Sequence, residues 1–128
     1  MAKYLFLLVF LFFTSNCFSQ TTVTGCDQFK TGKFAYRDSS GTISEIKRTA
    51  KTQTDYNPKT KLTLKYKIEW LSNCSYKLTQ TWASSKEKRK FNGSWLTYNI
   101  TSVVDNTYEY KCTCNDNSKV SGVVMKRE

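Results

Sequence analysis

Cysteines and carboxylates are the side chains here that could do chemistry, because the chain contains no histidine. Without an imidazole neither a serine nor a cysteine nucleophile has its usual general base, so Ser-His and Cys-His hydrolysis are excluded. Zinc would have to be held by thiolates and carboxylates alone, and the Cys112-x-Cys114 spacing is a weak metal signal. Glycoside hydrolysis needs two acids facing each other across a bound sugar. Glu69 falls on the wet side of an alternating segment, Glu87 in a lysine cluster, and Asp38, Asp105 and Asp116 at turns. Asp55 and Glu109 remain, with nothing in the sequence to bring them together. Phosphate-cradling glycine loops are absent as well. The expectation is a protein that is not an enzyme and uses no cofactor and no metal.

The cysteines then read as structural. Lys3 followed by an unbroken apolar run from Tyr4 to Phe13, and by small and polar residues to Ser19, has the layout of a secretory signal. The run is too short to span a bilayer, which takes about 20 residues. Cleavage after Ser19 leaves 20–128 as one domain without a transmembrane segment, periplasmic or secreted. The competing reading makes Cys17 a lipid-bearing residue, for which Thr14 and Asn16 are poor neighbours. Once Cys17 leaves, the disulfide candidates are Cys26, Cys74, Cys112 and Cys114. Cys26 lies ahead of the first strand and Cys74 at a hairpin end, where their pairing would staple the N-terminus to the sheet. Cys112 and Cys114 share a strand face, too close for an unstrained bond with each other. They are either thiols or, for one of them, a partner for Cys26.

The elements that position these residues are strands. From Lys61 to Leu71 apolar and polar residues alternate without a fault, Leu62, Leu64, Tyr66, Ile68 and Trp70 against lysine, threonine and glutamate. Successive strand side chains point to opposite faces, so one face is buried and the other wetted. Phe29 to Arg37, Ile43 to Thr49, Lys51 to Tyr56, Cys74 to Trp82, Trp95 to Val104, Thr107 to Cys114 and Lys119 to Lys126 read as further strands. Turn residues divide them, among them Asn57-Pro58 and Asn92-Gly93. Ser84 to Lys90 reads as a charged loop or the polar start of a short strand, and no segment reads as a helix. Roughly seven to nine short strands joined by short turns predict an all-β, antiparallel up-and-down meander, closed into a small barrel that leaves no exposed edge.

Phe29-Lys30-Thr31-Gly32-Lys33-Phe34, Ile46-Lys47-Arg48-Thr49 with Gln53 and Tyr56-Asn57-Pro58, and Trp70 to Leu78 form an ordered pattern. The pattern resembles a family of small secreted, largely uncharacterised bacterial proteins, some of which carry a topoisomerase IV subunit label that an exported chain this short gives no reason to believe. The resemblance covers about two thirds of the mature chain and implies a lipocalin-like barrel. Lipocalins carry Gly-x-Trp on the first strand, where this chain has Gly32-Lys33-Phe34. For the arginine that lipocalins stack on that tryptophan from near the barrel's end, Arg127 is the one candidate, and at one residue from the terminus it is not assigned that role.

A barrel of about eight strands holds one small ligand or fills with its own side chains. Phe34, Tyr36, Tyr66, Trp70, Tyr76, Trp82 and Tyr98 are expected on the inner face. Arg48, Tyr66, Trp70, Gln80, Trp82 and Tyr98 are the candidate ligand-binding residues for a small hydrophobic molecule, with Arg48 and Gln80 orienting a polar end such as a carboxylate. The exterior offers a second reading. The full chain carries +10, and Lys86, Lys88, Arg89 and Lys90, with Lys61, Lys65 and Lys67, could bind a polyanion or envelope component without any cavity. Alternation separates most aromatics from these lysines, and export argues against an intracellular nucleic acid partner. Oligomeric state is not fixed by any of these features.

Overall fold

The computed structural model describes residues 22–37, 40–113 and 119–127. The expected signal segment with Cys17, and Cys114, lie outside the described residues. Eight strands form: β1 (Gly32–Arg37), β2 (Ile43–Arg48), β3 (Thr52–Asn57), β4 (Leu62–Ser72), β5 (Ser75–Ala83), β6 (Trp95–Val104), β7 (Thr107–Thr113) and β8 (Lys119–Arg127). Each pairs antiparallel with the next and β8 returns to β1, so the sheet is a closed up-and-down barrel. No helix among the described residues is long and apolar enough to cross a membrane.

Alternation does what the sequence demands of it on most strands. Leu62, Leu64, Tyr66, Ile68 and Trp70 face the interior along β4, as do Leu96, Tyr98 and Ile100 on β6 and Tyr108, Tyr110 and Cys112 on β7. Cross-strand register stacks these side chains in rows. One row runs Gly32–Arg48–Gln53–Tyr66–Gln80 across β1 to β5 and is largely polar. The next runs Phe34–Ile46–Asp55–Leu64–Ala83 and is apolar apart from Asp55.

One segment departs from the expected reading. Phe29 does not open the first strand; Cys26–Phe29 is a 3-10 turn, and the strand starts at Gly32. Gly32 has φ 125°, a conformation that other residues adopt only with strain, and this lets the chain turn from the plug into β1. The turn drives the Phe29 ring, 0 % exposed, into one end of the barrel against Tyr108 at 4.7 Å and Phe34 at 6.3 Å. A disulfide from Cys26 to Cys74 ties this plug to the β4–β5 turn. Of the two readings of Ser84 to Lys90, the structure has the loop: β5 ends at Ala83, and Lys88–Phe91 winds into a second 3-10 turn at the opposite end.

The second departure is a bulge. Lys65 pairs with Trp82 but Tyr66 pairs with Gln80, so Thr81 is an extra residue in β5. A bulge reverses the face of everything beyond it. Ala83 takes the interior position, and Trp82 is turned to the outside, 38 % exposed. The expected inner-face tryptophan is therefore an outer-surface residue.

Candidate functional site

Above the plug, the polar row forms a floor around Arg48. Arg48 is 3 % exposed. Nε donates to Gln53 Oε1 at 2.9 Å, Nη1 to the Phe29 carbonyl at 2.7 Å, and Nη2 to the hydroxyls of Tyr108 at 3.2 Å and Tyr76 at 3.4 Å. Those two hydroxyls are 2.9 Å apart and share a hydrogen bond. The guanidinium also lies 4.8 Å from the centres of both the Phe34 and Tyr76 rings. Arg48 thus stacks on the first-strand Phe34 ring, whereas Arg127 is exposed. All three nitrogens of the fork donate to protein acceptors, which offsets much of the cost of burying the charge.

Between this floor and the Asn57–Leu62 turn lies a cavity of about 260 Å³. Tyr36, Tyr66, Tyr76, Tyr98 and Tyr110 line it, with Ser44, Gln53, Asp55 and Asn57 as further polar groups and Ile46, Leu62, Leu64, Leu78 and Val124 as apolar ones. The tyrosines form a packed series: Tyr76 and Tyr98 stack at 5.1 Å, and Tyr98 meets Tyr110 edge-on at 5.3 Å. Tyr110 in turn lies over Gly122, its cross-strand partner, where a Cβ would come within 2.5 Å of the phenol oxygen. The residue that leaves room for this ring is therefore a glycine.

Desolvation sets the electrostatics of the cavity. Burial raises the Asp55 carboxyl to about 6, against a hydrogen bond from Gln53 and the charge of Arg48, which both lower it. Gln53 bridges the two, accepting from Arg48 and donating through Nε2 to Asp55 Oδ1 at 2.9 Å. Burial likewise pushes the Tyr110 phenol up to about 12 and those of Tyr66, Tyr76 and Tyr98 well above their ordinary value. These hydroxyls remain protonated near neutrality, able to donate or accept.

Of the residues singled out in the sequence, Tyr66 and Tyr98 line the cavity. Arg48 lies beneath it, committed to the floor. Trp70 packs at the plugged end, 4.9 Å from Tyr76 and 5.6 Å from Lys30 Nζ. Gln80 is buried but serves a loop: its Nε2 donates to the Lys88 carbonyl and to Asn92 Oδ1 at 2.9 and 3.0 Å. Trp82 is outside. Lys86 is exposed, Arg89 Nε donates to the Ala83 carbonyl at 2.8 Å, and Lys88 and Lys90 lie over the Phe91 ring. Asp55 and Tyr110 were not among the candidates, although Gln53-x-Asp55-x-Asn57 carries a period-2 polar signal. Glu109 is exposed on β7, so it does not face Asp55.

No protein-family model matches the chain, and no curated protein matches it in sequence. A solved structure described as a de novo design of a fluorescence-activating beta barrel is similar, at 15% identity and a TM-score of 0.45. The match covers 82% of this chain and 100% of the designed one. The closed barrel described above rests on this chain's own strand pairing.

Proposed function

We propose that the protein is an exported, non-catalytic, lipocalin-like barrel that binds one small molecule inside, and that it is one of the small secreted bacterial proteins its Phe29–Leu78 segment resembles. The observation that carries this reading is the cavity: about 260 Å³ of space lined by tyrosines and a few converging polar groups, above the Arg48 floor. Sites for small molecules combine apolar walls with a small number of placed polar groups. The volume suits a compact ligand rather than a long acyl chain. Its lining is amphipathic, so the ligand has polar groups as well as a hydrophobic body. Export is supported by the apolar run after Lys3 and by the Cys26–Cys74 bond, which suits an oxidising compartment.

Native mass spectrometry of the protein purified from its own source tests the reading. A small-molecule adduct that disappears on denaturation is the expected result. A bare chain mass, with no compound in a metabolite panel altering tyrosine fluorescence, would count against it.

One observation favours a second reading, surface binding of a polyanion. Trp82, Phe91 and Trp95 are exposed on the same surface as the lysines, with Lys65 Nζ 5.2 Å from the Trp82 ring and Lys77 Nζ 4.8 Å from the Trp95 ring. Aromatic and cationic groups therefore share the outer face, where strict alternation would have put Trp95 but not Trp82. This reading expects retention on heparin that falls when Trp82 and Lys88 to Lys90 are replaced. An unchanged elution position in that variant removes it.

A further inference from the structure

The charge that lines the cavity has the opposite sign to the charge on the outer surface. The chain has 20 lysines and arginines against 10 acids, yet the described residues that line the cavity include neither lysine nor arginine, and Asp55 is their one carboxylate. Arg48 had been the natural partner for an anionic ligand, but its fork is spent on Gln53, Phe29, Tyr76 and Tyr108 below the cavity. Asp55 has apolar cross-strand neighbours, Ile46 and Leu64. Its contact with the nearest cation is indirect, through the Gln53 amide. A half-buried carboxylate that lines the cavity and is held by one neutral amide is an incompletely matched charge. Around it stand the rings of Tyr66, Tyr98 and Tyr110, whose hydroxyls all feel the Asp55 charge. Aromatic faces carry negative potential, and a carboxylate among such faces attracts a positively charged, weakly hydrated group.

We infer that the cavity takes a small organic cation, an amine or quaternary ammonium compound, with Asp55 as its counter-ion and Tyr66, Tyr98 and Tyr110 as its walls. This inference rests on the ligand-pocket reading and adds the ligand's chemical class to it. A carboxylate ligand would sit against Asp55 and is disfavoured. A neutral ligand of the same shape would forgo the ion pair.

Three compounds of one shape and different charge separate these cases: choline, 3,3-dimethyl-1-butanol and 3,3-dimethylbutanoate, each titrated calorimetrically into the full chain. Choline is expected to bind at least about tenfold more tightly than the alcohol, and the carboxylate most weakly. Asp55→Asn should abolish the preference for choline over the alcohol. Tyr66→Leu should weaken choline while Tyr66→Phe retains it. A further readout needs no variant. Because the cation favours ionised Asp55, affinity for choline should fall about tenfold from pH 7.5 to pH 5, and the alcohol's should not. The groups facing Asp55 are Arg48 from β2, Tyr66 from β4, Tyr98 from β6, Tyr110 from β7 and Tyr36 from β1. Alcohol or carboxylate binding as tightly as choline, or a choline affinity indifferent to pH, overturns the inference and leaves the pocket reading standing. If none of the three binds while the native protein carries an adduct, the cation assignment again falls alone; with no adduct either, both fall.

Discussion

Replacing Arg48 with alanine would test how the barrel floor is held. The substitution leaves the Phe29 carbonyl and Gln53 Oε1 without their donor, at about 1–3 kcal/mol for each buried acceptor. Tyr76 and Tyr108 still bond each other through their hydroxyls, so they add little. A void also opens between the Phe34 and Tyr76 rings, where the guanidinium is stacked. Against these losses stands the relief of no longer burying a charge, of order several kcal/mol for an unpaired ion but largely offset here by the hydrogen bonds. The net expectation is a loss of about 3 kcal/mol. Arg48→Met, which refills most of the volume without the charge, should cost roughly half as much. Urea unfolding with the disulfide intact measures both, and a slope of about 2 kcal/mol/M turns the alanine value into a midpoint drop of about 1.5 M. An alanine variant within about 0.5 kcal/mol of the parent would mean that the network does not hold the plug.

Cys26→Ser with Cys74→Ser reopens a loop of sequence separation 48, for which chain entropy predicts a loss of about 4 kcal/mol, read by the same urea titration. Gly122→Ala should destabilise by about 1–3 kcal/mol by displacing the Tyr110 ring, and Gly122→Ala with Tyr110→Ala should show strong positive coupling; additive losses would contradict the contact. Asp55 makes stability depend on pH in a defined direction. Its carboxyl titrates near 6 in the folded chain against a reference value of 3.8, so the folded state binds the proton more tightly. Stability is therefore greatest below about pH 4 as far as this group is concerned, is lost as pH rises towards 6, and stays low above it. Asp55→Asn should accordingly stabilise the protein at pH 7, by roughly 1–3 kcal/mol after allowance for solvent screening, and leave it unchanged at pH 4. Equal effects at both pH values would remove the burial of Asp55 as the cause.

The strands were legible because a barrel of short turns keeps the period-2 pattern local, as on β4, where five consecutive inward positions could be read from the sequence. Trp82 was misplaced because a single extra residue, Thr81, inverts the pattern and leaves no mark in it. The plug was missed for a different reason: Cys26–Phe29 is one turn long, and its stability comes from the disulfide and from the cavity end that Phe29 fills, neither of which is a local preference. Arg48 was recognisable as an unusual polar residue on an inward strand position. Its partners were not, since Phe29 and Tyr108 lie 19 and 60 residues away. Asp55 looked like an unplaced acid for the same reason. Its importance depends on the apolar rows that β2 and β4 put beside it and on an arginine that is turned elsewhere.

The proposed binding happens inside the barrel, among the tyrosines. Ring resonances assigned by NMR during a choline titration of the full chain test it most directly. The prediction is that Tyr66, Tyr98 and Tyr110 shift together with Asp55, while the indole signals of Trp82 and Trp95 on the outer surface stay in place. Shifts confined to Trp82 and Trp95, with the interior tyrosines unmoved, would contradict it.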